Sequence, residues 1–244
     1  MTDLNAYLKK NQNHFESLSL TNLIQQLVDD FGLSLTLASS LGVEDQLLTH
    51  VLLKYQAKSR IFVLDTGRLP QETYDVMQIT MAKYQFHYDV YCPDAQELEQ
   101  FIQKEGPNSF YESVEKRKAC CYIRKVVPLQ RALMSANIWI TGLRQSQSVT
   151  RQGLKVLEWD EQHEILKVNP LLHWSDEALW KQIKTEQIPY NVLHDKGYPS
   201  IGCAPCTRPI KEGEDSRAGR WWWESAEGRE CGLHIKKKES MKHD

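Results

Sequence analysis

Apolar and polar positions follow two rhythms along the first part of the chain, one helical and one of buried strands. Over 21–31 the residues Leu23, Ile24, Leu27, Val28 and Phe31 fall on one helical face, and Gly32 suits the C-cap. Residues 33–38 read as a buried strand that enters a Ser-Ser-Leu-Gly loop, followed by a helix over 44–55. A strand at 60–64 ends at Asp65-Thr66-Gly67, ahead of a helix over 71–84. Further strands are expected at 86–91 and 137–141, the second ending at Gly142-Leu143-Arg144. One or two helices lie between them, the last from about 121 to 134.

Strands alternating with helices predict an α/β fold with a doubly wound, mostly parallel sheet and ligands at the carboxyl ends of the strands. All three strand-end loops are polar and contain glycine, which is where a nucleotide would sit. After Arg151 the pattern changes. Segments 156–159 and 164–168 predict a hairpin around Asp160-Glu161-Gln162, and Ser175-Asp176-Glu177 opens a helix with N-cap chemistry. From Ile188 onward Pro, Gly, Trp and charged residues dominate with little periodicity. The expected division is an α/β domain over 1–210 and a C-terminal segment over 211–244.

Composition narrows the function classes. A net charge of −2 offers no global attraction for nucleic acid or membrane, so any anion site must be local. The N-terminus lacks an apolar targeting segment, and no long apolar run is present, so a soluble cytoplasmic protein is expected. In a reducing compartment the six cysteines point to metal binding or catalysis before disulfides.

Cys120-Cys121 and the C-x-x-C pair Cys203 and Cys206 can supply four thiolates to a zinc ion or an iron–sulfur cluster. Buried structural cysteines are the plain alternative, but Gly202, Pro205 and Pro209 give a tight loop instead of a core strand. Adjacent side chains diverge, so the tandem pair suits the separate iron corners of a cluster better than one tetrahedral ion. Spacing leaves both open. Cys231 lies in Arg-Glu-Cys-Gly-Leu-His, with Lys236, Lys237 and Lys238 beyond it and Glu230 before it. Those charges oppose one another, and an ordinary thiol already holds a few per cent thiolate near neutral pH. Cys92 ends a predicted strand and reads as structural.

The islands Cys-Cys-Tyr-Ile-Arg-Lys-Val-Val-Pro-Leu (120–129), Gly-Cys-Ala-Pro-Cys-Thr-Arg-Pro (202–209), Leu-Asp-Thr-Gly-Arg-Leu-Pro (64–70), Gly-Arg-Trp-Trp-Trp-Glu (219–224) and Glu-Cys-Gly-Leu-His (230–234) resemble the assimilatory adenylyl-sulfate (APS) reductases of bacteria and plants. The resemblance covers nearly the whole chain. It implies an adenine-nucleotide hydrolase-like fold and one 4Fe–4S cluster on Cys120, Cys121, Cys203 and Cys206. It also implies Cys231 as nucleophile, with His234 in support and thioredoxin or glutaredoxin as reductant. Ser39, Gly42, Glu44 and Asp45 resemble the family's modified phosphate loop, although Leu41 stands where the typical loop has Ser. Asp65, Thr66, Gly67 and Arg68 are expected to line the adenosine pocket. Arg144 and Arg151 are candidates for the sulfate or phosphate, and Arg217 and Arg220 match family arginines that hold the phosphosulfate. Lys125 resembles the lysine that links cluster and substrate.

Three other readings stand beside it. A PAPS reductase, or an enzyme of dual specificity, shares the nucleophile motif but typically lacks the cluster cysteines. A cluster-containing tRNA-thiolation protein predicts an ATP-pyrophosphatase loop and a basic surface, neither of which is evident. A zinc-stapled binding module would be colourless. A homo-oligomer is compatible with the pattern, because an oligomer face has the composition of core.

Overall fold

The computed structural model describes residues 3–147, 151 and 153–225. Its elements run α1 (Leu4–Glu16), α2 (Leu20–Phe31), β1 (Leu35–Ser39), α3 (Val43–Tyr55), β2 (Arg60–Leu64), α4 (Gln71–Tyr84), β3 (Asp89–Tyr91) and α5 (Ala95–Glu105). There follow α6 (Val114–Cys121), a π-helical turn (Tyr122–Val126), α7 (Val127–Leu133), β4 (Ile138–Ile140), β5 (Leu157–Asp160), β6 (Ile165–Val168) and α8 (Asp176–Thr185). One six-stranded sheet has the order β3-β2-β1-β4-β6-β5. Strand β1 pairs in parallel with β2 and β4, β4 pairs in parallel with β6, and β5 closes the edge antiparallel to β6. The expected α/β fold with a mostly parallel sheet is what forms. Leu35, Leu37, Ile138 and Ile140 are fully buried, as strands covered on both faces require.

The local chemistry explains the boundaries. Helix α2 buries Leu20, Leu23, Ile24, Leu27 and Phe31, begins where Ser19 Oγ accepts the Asn22 amide at 3.3 Å, and stops at Gly32, whose φ is +52°. The strand expected at 86–91 is only three residues long. Phe86 and Tyr88 instead pack edge to face, their ring centroids 4.7 Å apart. The helix expected from about 121 to 134 is interrupted by the π-turn. Pro128, near the start of α7, has no amide to donate to the Arg124 carbonyl four residues back, and its ring pushes that carbonyl away. The ladder shifts by one residue, and Val127 bonds the Tyr122 carbonyl instead.

The chain resolves into two compact units that interleave in sequence. The first comprises Met1–Val63, Glu72–Asp89 and Ser135–Val192; the second comprises Leu64–Gln71, Val90–Met134 and Leu193–Asp244. Among the described residues no helix is long and apolar enough to cross a membrane.

Candidate active site

In the first unit the winding direction of the sheet reverses between β1 and β4, where an α/β sheet binds its ligands. Asp45, in the first turn of α3, ties the two strand-end loops together. Its Oδ2 accepts from the Ser40 amide at 2.6 Å and the Ser40 hydroxyl at 2.7 Å, and it also accepts from the Gly142 amide. A Cβ at Gly142 would stand 2.3 Å from Asp45 Oδ1, so only glycine permits this approach. Burial pushes the Asp45 carboxyl up to about 6, against the lowering effect of the Ser40 hydrogen bonds. Ser39 is buried and accepts from the Leu41 amide at 3.2 Å. Leu41 has a φ of +61° and is buried in the core. Gly42 is the N-cap of α3 and makes no side-chain cap bond.

Glu44 sits at the same helix start and is held by Arg144 and Gln147. Arg144 Nε donates to Glu44 Oε1 at 2.9 Å, Arg144 Nη2 to Asp176 Oδ1 at 2.5 Å, and Gln147 Nε2 to Glu44 Oε1 at 2.7 Å. Burial raises the Glu44 carboxyl and Arg144 opposes the shift. Arg151 donates to the Arg144 carbonyl at 3.3 Å and to Gln147 Oε1. The structure therefore gathers Glu44, Arg144 and Arg151 into one network. In it the Arg144 fork already serves two carboxylates.

The second unit assembles the cysteines. All four line one cavity, together with Arg68, Phe110, Arg117, Arg124, Lys125 and Pro205. Cys203 and Cys206 are buried, Cys120 and Cys121 half-buried, and neither these four nor the exposed Cys92 is in a disulfide. The C-x-x-C turn closes through the Cys206 amide on the Cys203 carbonyl at 2.9 Å, and Thr207 Oγ1 donates to the same carbonyl at 2.9 Å. A Cβ at Gly202 would lie 2.3 Å from Arg220 Nη2, so any other residue there would have to displace the buried Arg220 guanidinium. Burial pushes the Cys206 thiol up to about 12 and raises Cys120; neighbouring cysteines add to both shifts, while Lys125 and Arg220 oppose the first and Arg124 the second. Thiols so buried stay protonated unless a positive centre takes the proton's place, which is the chemistry of a thiolate-ligated metal group. The mutual influence of Cys120, Cys203 and Cys206 and their shared cavity fit such a group. Among the described residues no three His, Cys, Asp or Glu side chains converge on a single ion.

The loop Asp65–Arg68 packs on this turn. Thr66 Oγ1 lies 3.3 Å from Cys203 Sγ, the Ala204 amide donates to the Arg68 carbonyl at 2.8 Å, and Arg124 Nη1 donates to the Thr66 carbonyl at 2.5 Å. Asp65 accepts from the Gly67 amide at 2.8 Å, with Gly67 at a φ of +67°. Arg68 lies over the Phe110 ring and donates to Asn108 at 3.2 Å. Arg220 is buried, donates to Ser200 Oγ at 3.3 Å and to the Ile201 carbonyl at 3.2 Å, and faces Trp221; Arg217 is half-buried. Cys231 and His234 lie outside the described residues.

Sequence reasoning missed Thr66 as a partner of Cys203, Arg124 as a cation beside Cys120, and the buried pair Arg117–Glu224. The partners in the first and third are 137 and 107 residues apart, so no local pattern signals them. Arg124 was legible in principle, being four residues after Cys120 on a helical stretch.

The phosphoadenosine phosphosulfate reductase domain profile matches residues 34–209. The chain is 48% identical over 201 residues to the adenosine 5′-phosphosulfate reductase of Allochromatium vinosum, spanning 82% of this chain and 78% of that protein. It is 50% identical over 198 residues to the enzyme of the same name from Burkholderia cepacia, spanning 81% and 79%. It also superposes on a phosphoadenylyl-sulfate (PAPS) reductase from Candida auris, solved as a phosphate complex, with a TM-score of 0.72 and 26% identity over 85% of this chain and 99% of that one. On this match of profile, relatives and fold, the chain belongs to the phosphoadenosine phosphosulfate reductase family.

Proposed function

We propose that this protein reduces APS to sulfite and AMP in the cytoplasm, as a step of sulfate assimilation. The observation that carries the reading is the cavity lined by Cys120, Cys121, Cys203 and Cys206 together with Lys125 and Arg124, in a chain whose relatives bear the APS reductase name. Cys120, Cys121, Cys203 and Cys206 would hold a 4Fe–4S cluster, which supplies a fixed charge and a structural tie. Four thiols spread around a cavity suit a group of several atoms better than a single ion. Lys125 would draw the sulfate towards the cavity. In the second unit Arg217 and Arg220 would hold the phosphosulfate and the loop Asp65–Arg68 the adenosine; in the first, the loop Ser39–Asp45, with Arg144 and Arg151 beside it, is the proposed phosphate loop.

The nucleophile is assigned to Cys231, with His234 in support, both in the C-terminal segment over 211–244. Its thiolate attacks the sulfur of APS. The sulfur–oxygen bond to the phosphate breaks, AMP leaves with the electron pair, and Cys231 carries an S-sulfonate. A thioredoxin or glutaredoxin dithiol attacks the Cys231 sulfur, sulfite leaves, and the second thiol resolves the mixed disulfide, restoring Cys231 and oxidising the partner.

Turnover of APS and PAPS side by side, with thioredoxin and with iron counted per chain, tests the reading. Preference for APS in a brown, iron-loaded protein is expected. Preference for PAPS, the substrate in the name of the Candida auris structure, would reassign the substrate, and a colourless active protein would remove the cluster.

A further inference from the structure

Arg117 lies three residues before Cys120 on α6, and Glu224 closes the Arg-Trp-Trp-Trp-Glu string. Their side chains are 1% and 4% exposed and meet as a two-pronged pair, Nε to Oε1 at 2.9 Å and Nη2 to Oε2 at 2.8 Å. The Arg117 guanidinium also faces the Trp221 ring at 4.6 Å, and Arg220 faces the same ring at 4.7 Å. Trp221 is buried with a φ of +43°, and its amide donates to the Cys206 carbonyl at 3.2 Å. The segment that leads towards Cys231 is thus clamped to the helix carrying one cysteine pair and to the turn carrying the other.

An apolar pair of the same volume would hold a core as well or better, so burying two charges here calls for a reason other than stability; the best attested is fixing register. Glu224 is followed by Ser225, and Cys231 comes seven residues after Glu224. An extended chain of that length reaches at most about 25 Å. We propose that Arg117 and Glu224 are positioning residues for the reaction: their pair sets the direction in which the chain leaves towards Cys231. The proposal rests on the reading of Cys231 as nucleophile.

Tether length and direction predict different magnitudes. Without the pair, the next fixed point upstream is Trp223, eight residues before Cys231, whose ring packs on Tyr111 at 4.4 Å and Phe110 at 6.1 Å. That lengthening by one residue alone lowers the effective concentration of the thiol by only about a fifth. Losing the direction of attack costs on the order of tenfold or more.

The test uses the full iron-loaded chain. The rate at which Cys231 is S-sulfonated in a single turnover is read by intact mass, beside iron content, melting temperature and the APS concentration giving half-maximal rate. The double variant Arg117→Met with Glu224→Leu removes both charges and so avoids a lone buried one. Expected is wild-type iron content, a half-maximal APS concentration within about threefold, and S-sulfonation slower by about tenfold or more. A smaller loss, including the slight one expected of a span one residue longer, overturns the proposal. Should the double variant not fold, Glu224→Gln, which keeps the shape, is judged by the same threshold. If wild type turns over APS without S-sulfonation at Cys231, the underlying reading fails; if wild type forms the S-sulfonate and the variants form it as fast, only the positioning role fails.

Discussion

At the scale of single residues, the start of α3 carries two carboxylates where an anion site was expected. Asp45 and Glu44 stand at the positive end of the helix, a placement that favours negative charge. Yet burial pushes Asp45 up to about 6. A folded Asp45 that binds its proton more tightly than an unfolded one adds stability that is complete below about pH 4 and lost as pH rises through about 6, roughly 3 kcal/mol in all. Asp45→Asn should therefore flatten the decline in unfolding free energy between those pH values; equal declines in both proteins would show that another group controls it. The four cavity cysteines make a second prediction. Serine at any one of them should strip iron and colour from the protein, read by metal analysis and visible absorbance. These cysteines were legible because each pair is a local pattern. Asp45's role was not, since the Ser40 and Gly142 amides it joins come from two separate loops. Arg144 was legible as a functional arginine, but its service to Glu44 and Asp176 depends on contacts 100 and 32 residues away.

At the scale of elements, the strands and the amphipathic helices were readable because burial imposes their period. The sheet's central strands fall where apolar runs meet glycine-containing loops. The break between α6 and α7 was not read, although Pro128 announced it. The extra residue of the π-turn sets the rotation of Cys120 and Cys121 relative to α7. Deleting Ile123 removes the extra residue and should turn the cysteine pair by roughly 100° against α7, while the break at Pro128 remains. The variant is expected to fold without iron, measured by circular dichroism and metal content; full iron loading would show that the turn is incidental. The loop crossing at Gly142 is as tight. Gly142→Ala should cost about 1–3 kcal/mol in urea unfolding, because the added methyl meets Asp45 and Glu44.

At the scale of the molecule, membership of the reductase family rests on agreement between the fold, the profile over 34–209 and the relatives. The sequence islands made the family legible before any geometry was known. What geometry added is the grouping within each unit: Asp45 joining two loops in one, and the cysteines, Thr66, Arg124 and the Arg117–Glu224 pair in the other. The proposed division of labour is that the cluster stays a charged structural element while the redox change belongs to Cys231. Thioredoxin-dependent release of sulfite from APS, compared between wild type and Cys231→Ser with both carrying full iron, tests that division most directly. The account predicts that the variant keeps its colour and binds APS but releases no sulfite above background. Undiminished sulfite release by the variant would contradict it.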